Sequence, residues 1–258
     1  MATIDLAFEV FGESSDPALI ILHGFFASSR NWRQIAEKLA DKRRTFVLDL
    51  RNHGESAHHP IMDYPAMAAD LLAFMDNQGL QTASLLGHSM GGNVAMWLAL
   101  NHPERIDKLM VADIAPVSYQ HCFNNLIVAL KLLPLSDLTN RKQAEVFLAE
   151  AIPDLSFRQF LLQNLVLQDG EYRWRINLDY FQQAAAGIVA FPDTANLASF
   201  LGKSLFVAGA DSDFVKPEQL YELFPNARLQ YIADAAHWLH VQQPKIFHEK
   251  LKAFLDAN

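Results

Sequence analysis

A serine flanked by glycines, a histidine far downstream and a few carboxylates between them are the residues here whose types and spacing suit a reaction. The serine is Ser89, in Gly87-His88-Ser89-Met90-Gly91-Gly92. The pattern G-x-S-x-G joins a strand to a helix through a turn too sharp for side chains at the glycines. It presents the hydroxyl at the helix N-terminus, where backbone N–H groups favour developing negative charge. That is the setting of a nucleophile that adds to an acyl carbon, once a base takes its proton.

The base is expected at His237, in Ala236-His237-Trp238, directly after the last strand-like run LQYIADAA. The chain order serine, acid, histidine places the histidine in that loop. His240 and His248 read as packing or surface histidines. His23-Gly24-Phe25-Phe26 follows an early buried strand, in the loop that supplies one oxyanion donor. The backbone N–H of Phe25 and that of Met90, next to the serine, are the expected pair. His23 reads as a brace for the loop.

The acid is ambiguous. The run SLFVA leads into Gly209-Ala210-Asp211-Ser212-Asp213, and the common G-x-x-D spacing falls on Ser212. Asp211 and Asp213 flank that position by one residue, enough to turn a side chain away from the histidine. Asp113 ends the preceding strand in LMVADIAP and could reach the same imidazole from the side. Asp113 is favoured, Asp211 is the alternative acid, and Ser212 is a possible hydrogen-bonding partner of the histidine.

The elements around these residues must form one sheet edge. Residues 6–11 alternate as a strand, and 12–17 read as a turn. Residues 18–22 (ALIIL), 45–50, 84–86, 109–114, 204–208 and 229–233 read as strands, most of them continuous apolar runs buried on both faces. Helical spacing over 32–39, 64–78, 90–101, 217–224 and 244–256 alternates with them. The expected fold is α/β, a mostly parallel sheet with helices on both faces. Between 117 and 190 no buried strand is evident, only helix-like stretches at 122–133, 141–151, 156–167 and 178–189. The expected organisation is therefore a core of 1–116 and 191–258 with a helical cap, 117–190, over the carboxyl edge where open sheets bind ligands.

At 258 residues, 51% hydrophobic and 19% charged, the composition suits a well-buried enzyme. A net charge of −8 argues against nucleic-acid and anionic-membrane partners. The single cysteine, Cys122, allows no internal disulfide. With no signal-peptide pattern and no apolar run of spanning length, a cytoplasmic protein is expected. No metal cluster or phosphate-binding glycine loop is evident, so no cofactor and no metal are expected.

HGFFASSRNW, DLRNHGES, GHSMGGNVAM, RIDKLMVADIAPV and AHWLHVQQP together resemble the YbfF-type bacterial esterases of the α/β-hydrolase superfamily, over nearly the whole chain. The resemblance implies that DLRNHGES is structural. It also implies that serine holds the usual acid position and the acid follows the previous strand, as Ser212 and Asp113 do here. One departure is Ala233-Asp234-Ala235-Ala236, where many members carry glycines.

The implied activity is hydrolysis of carboxylic esters or thioesters of short to medium acyl chains through an acyl-enzyme. The expected partner is one such small molecule, and the protein a monomer or weak homo-oligomer. Phe123, Leu126, Ile127, Leu130, Leu133, Phe147, Phe157, Phe160 and Leu161 read mostly as the cap's own core, with a few facing the pocket beside Phe25 and Phe26. Arg173-Trp174-Arg175 reads as a solvated loop, or else as a contact for an anionic leaving group such as coenzyme A. A carbon–carbon bond hydrolase with the same triad, or a non-catalytic ligand-binding module on this scaffold, are the alternatives.

Overall fold

In a computed structural model, residues 2–13 and 17–257 are described. Half of the turn expected at 12–17, residues 14–16, lies outside the described residues. The chain enters through β1 (Phe8–Phe11) and β2 (Ala18–Leu22). It continues through α1 (Arg33–Glu37), β3 (Thr45–Leu48), α2 (Tyr64–Asn77), β4 (Ala83–His88), α3 (Met90–Asn101) and β5 (Ile106–Ala112). After β5 come α4 (Asn124–Lys131), α5 (Arg141–Phe147) and α6 (Leu155–Leu161). Then follow β6 (Leu165–Gln168), β7 (Glu171–Trp174) and α7 (Leu178–Ile188). The sheet resumes with β8 (Lys203–Gly209) and β9 (Arg228–Ile232), and the chain closes with α8 (Leu239–Gln242) and α9 (Pro244–Asp256).

Seven strands form the main sheet in the order β1-β3-β2-β4-β5-β8-β9. All neighbours are parallel except β1 and β3. The period-2 alternation of side chains divides the core into two layers. Ala18, Ile20 and Leu22 pack with α2, α3 and the inserted block on one face. Leu19 and Ile21 pack with Trp32, Phe247 and Leu251 on the other. This double burial explains why the strands read as unbroken apolar runs.

Three expectations need correction. Residues 156–167 are not one helix: α6 ends at Leu161, and 165–174 form the antiparallel hairpin β6–β7. Asp169 and Gly170 turn it with φ of 52° and 83°, the Asp-Gly signature of a two-residue hairpin turn. Arg173 and Trp174 therefore lie on a strand. Residues 217–224 form only a 3-10 turn, Pro217–Gln219. Phe147, expected in the core of the inserted block, is exposed.

The loop between β3 and α2 is held by a buried ion pair. The Arg51 guanidinium grips Asp70 in two parallel bonds of 2.7 Å, with both side chains fully buried. Two further N–H groups reach the carbonyls of Ile61 and Ala66. Two charges taken out of water are tolerated when good geometry and additional hydrogen bonds offset the lost hydration. Asp70→Ala leaves an uncompensated buried guanidinium. It should cost about 3–5 kcal/mol, read as a lower urea midpoint at unchanged slope.

Candidate active site

Three adjacent strands end at one place. Past β4, the Ser89 N–H donates to Ala112 O (3.1 Å); past β5, the Asp113 N–H donates to Val207 O (2.9 Å). The ladder thus runs one residue beyond each strand. Ser89 and Asp113 then turn out of it in the same way, each with φ of 52°. The left-handed conformation is costly for a residue with a Cβ and clusters at functional positions. Behind Ser89 the elbow is crowded. A Cβ on Gly87 would strike the backbone of Gly91, and one on Gly91 would strike the carbonyls of Leu22 and His23.

Asp113 is fully buried. Its Oδ1 accepts the Gly209 N–H (2.9 Å), and its Oδ2 accepts the Ser212 hydroxyl (2.6 Å) and His237 Nδ1 (2.8 Å). With Nδ1 donating to a carboxylate, Nε2 is the acceptor nitrogen of the neutral ring. The structure brings Asp113, Ser212 and His237 together. Asp211, the alternative acid, is exposed and is not among the partners of His237; its backbone N–H donates to Ala235 O. The chain turns here, with the Ser212 N–H closing onto Gly209 O (3.2 Å), so that Ser212 faces Asp113 while Asp211 and Asp213 are exposed. Phe214 stacks on the imidazole of His237 at 4.3 Å.

The loop expected to supply the oxyanion donor is clamped on every side but one. His23 Nδ1–H donates to Gly24 O (2.8 Å), and the Ala27 N–H reaches the same oxygen (3.1 Å). The Phe26 N–H donates to His53 Nε2 (3.3 Å) and the Phe26 carbonyl accepts Asn164 Nδ2 (2.8 Å). The Phe25 N–H, which shares its peptide plane with the tethered Gly24 carbonyl, has no partner among the described residues, and neither has that of Met90. Two free donors line the cavity that Ser89 also lines. His23, read as a brace, braces: its Nε2 also accepts the Leu50 N–H (3.0 Å).

The cavity has a volume of about 610 Å³, within the range of small-molecule sites. Ser89 and His237 share it with the rings of Phe25, Phe26, Phe123, Phe157, Phe160 and Trp238. Arg173 and Arg175 are not on its wall; they pair with Glu171 and Glu55.

Sequence reasoning passed over several residues of the site. His88 donates Nε2–H to the His237 carbonyl (2.8 Å), whereas His240, read as a packing or surface histidine, is buried and stacks on Trp32 at 4.2 Å. The Tyr119 hydroxyl accepts the Ala115 N–H and donates to Phe214 O. Asn164 meets Phe26 across 138 residues, a pairing with no local signature. His88 alone was within reach, as the variable position of the serine motif.

Burial holds the site's supporting histidines neutral. It lowers the pKa of His23 and lowers those of His53 and His240 well below the ordinary value. Burial and the neighbouring His237 push His88 down to about 3. Each group takes its proton in the unfolded chain first, so stability is fully present above the unfolded pKa and falls as pH drops below about 6.5. Each such histidine should contribute a slope of about 1.4 kcal/mol per pH unit. Urea unfolding at pH 7.5, 6 and 5 checks this; equal stability at all three would mean these rings are charged in the fold.

Comparison with known proteins places these features in a family. The model of the alpha/beta hydrolase fold matches residues 17–244. The sn-1-specific diacylglycerol lipase ABHD11 of Danio rerio is 37% identical, covering 98% of this chain and 83% of that protein. Esterase YbfF of Escherichia coli (strain K12) is 33% identical over 95% of each chain. A solved marine microorganism esterase superposes with a TM-score of 0.93 at 38% identity, covering 98% of this chain and all of that one.

Proposed function

The chain belongs to the α/β-hydrolase family, and from that premise we propose that it is a carboxylic ester hydrolase working through Ser89, His237 and Asp113. The single observation carrying this reading is the 2.8 Å bond from His237 Nδ1 to the buried Asp113, on the wall of a cavity that Ser89 shares. Support also comes from the names of the similar proteins, an esterase and a lipase.

The steps follow from the atoms. His237 Nε2 takes the Ser89 proton as Oγ adds to the acyl carbon, and the buried carboxylate stabilises the imidazolium that forms. The stacked Phe214 ring adds cation–π attraction to that charged state. The N–H groups of Phe25 and Met90 receive the oxyanion. The leaving group takes the proton from His237, and a water activated by the same nitrogen then releases the acid from Ser89.

The inserted block, 117–190, is the cap in this reading. It contributes the Phe123, Phe157 and Phe160 walls, which suit an acyl group of short to medium length. Esters and thioesters are both compatible with the mechanism. With Arg173 and Arg175 paired to carboxylates away from the cavity, nothing favours a coenzyme A leaving group in particular. No helix among the described residues is long and apolar enough to cross a membrane, and the one cysteine is free and exposed, which suits a reducing, cytoplasmic setting.

Four variants on one activated ester test the assignment. Ser89→Ala should lose about 10⁴-fold or more in kcat, since the covalent route disappears. Asp113→Asn should lose a comparable factor with the geometry nearly intact. Asp211→Asn should stay within about tenfold of the unaltered enzyme. Ser212→Ala should fall between, since it removes one bond to the carboxylate. Collapse of Asp211→Asn with a healthy Asp113→Asn would move the acid to the later loop.

The pH profile separates the histidines. With His237 as the base, kcat/KM should show one acidic limb, along which activity is lost as the base takes a proton. His240→Asn should retain that limb. A profile that His240→Asn abolishes would name the wrong ring.

A further inference from the structure

Two residues that line the cavity carry a buried side-chain atom with no hydrogen-bond partner among the described residues, His240 Nδ1 and Asn93 Oδ1, and of these Asn93 is the one whose other end is fixed by a bond. Asn93 lies one helical turn after Ser89 on α3, is 2% exposed and lines the cavity. Its Nδ2 donates to the Tyr64 hydroxyl (2.9 Å), which donates in turn to Ile188 O (2.6 Å). This relay sets the orientation of the amide, since Tyr64 OH has its own proton committed to a carbonyl and needs a donor from Asn93. The oxygen, Oδ1, is therefore the free end, and it is buried with no hydrogen bond among the described residues. A buried acceptor without a donor is costly, and native sites carry such groups where a ligand supplies the partner.

The surroundings narrow the ligand. Among the described residues, no Lys, Arg, Asp or Glu lines the cavity, so a charged limb would be desolvated there without a counter-ion. Asn93, Met90, Ile114 and Ile188 belong to the buried part of the lining, whereas Gln159, Val241 and Gln242 belong to its exposed part. In a two-step hydrolysis the alcohol or thiol leaves first, and the acyl group stays on the serine until water arrives. The exposed lining suits the departing group, and the buried lining suits the acyl limb.

We propose that Asn93 is a specificity-determining residue and that the preferred acyl group is uncharged and carries a hydroxyl whose proton Oδ1 accepts. This rests on the ester-hydrolase reading above and deepens it. A site with a fixed acceptor discriminates against the analogue lacking the donor, because binding that analogue leaves the buried acceptor unpaired.

The test is a matched set of methyl esters: hexanoate, 3-hydroxyhexanoate, 6-hydroxyhexanoate and the monoanionic monomethyl adipate, followed by acid release in a pH-stat. At least one hydroxy ester should exceed hexanoate in kcat/KM by about tenfold, and the adipate should be the poorest. The readout for the residue is the hydroxy-to-plain ratio within each enzyme, which cancels any common loss of rate. Asn93→Leu should bring that ratio to about one. Tyr64→Phe, which releases the amide to turn, should lower it too, and serves if Asn93→Leu does not fold. Hydroxy esters no better than hexanoate in the unaltered enzyme, or a preference that survives both variants, would overturn the proposal. A Ser89→Ala enzyme that still turns over hexanoate would overturn the ester-hydrolase mechanism instead, so the two failures are distinct.

Discussion

The carboxylate of Asp113 is the constraint around which this site is arranged. It is fully buried, and an ionised group there persists only when its lone pairs meet donors. The donors come from three places: the Gly209 N–H at the end of β8, the Ser212 hydroxyl just past it, and His237 Nδ1 beyond β9. Satisfying one charge thus ties β5 to two later loops. It also fixes the tautomer of His237, which leaves Nε2 as the nitrogen able to take a proton. The left-handed turn at Asp113 makes this possible. It ends the strand and brings the carboxylate to the adjacent strand's loop, as the same turn at Ser89 presents the hydroxyl.

A second network holds the opposite wall by neutral groups. His23 and His53 each give one proton to a carbonyl and accept a backbone N–H on the other nitrogen. A protonated imidazole has no acceptor to offer, so these rings fill both roles only when neutral. Burial, which lowers both pKa values, is therefore part of how the loop around Phe25 keeps its shape. Asn164 completes the clamp from the inserted block by bonding Phe26 O. The position of the block and the direction of the Phe25 N–H are thus mechanically linked.

The rest of the cavity divides its work between shape and a few buried polar groups. Aromatic walls from core and block, with Phe25 stacked on Phe181 at 4.5 Å, supply apolar area that holds a chain without selecting its details. Discrimination then falls to the few polar atoms that face one another there. His88 gives its proton to the His237 carbonyl, and Asn93 donates an amide proton to the Tyr64 hydroxyl while its oxygen stays unpartnered. Such an atom carries more information about a ligand than the whole of the aromatic surface, because its cost when unpaired depends on the ligand's chemistry.

Much of this was legible in the residues themselves. The buried parallel strands show as unbroken apolar runs, because burial on both faces removes the alternation. The elbow at Ser89 shows because glycines at 87 and 91 answer a local steric demand. The Asp169-Gly170 hairpin was equally local, yet its apolar flank at 165–167 suited a helix as well as a strand, and only pairing with 171–174 decided between them. Sequence left Asp113 and Asp211 as rivals because each follows a strand and precedes the histidine. The tertiary fold separated them by registering β5 against β8, which sets Asp113 beside Gly209 and Ser212. The Asn164 brace and the Asn93–Tyr64 relay were likewise decided in three dimensions. A single polar side chain meeting a distant partner leaves no periodicity and no spacing to read, since its energy depends on where the backbone carries it and not on its neighbours in the chain.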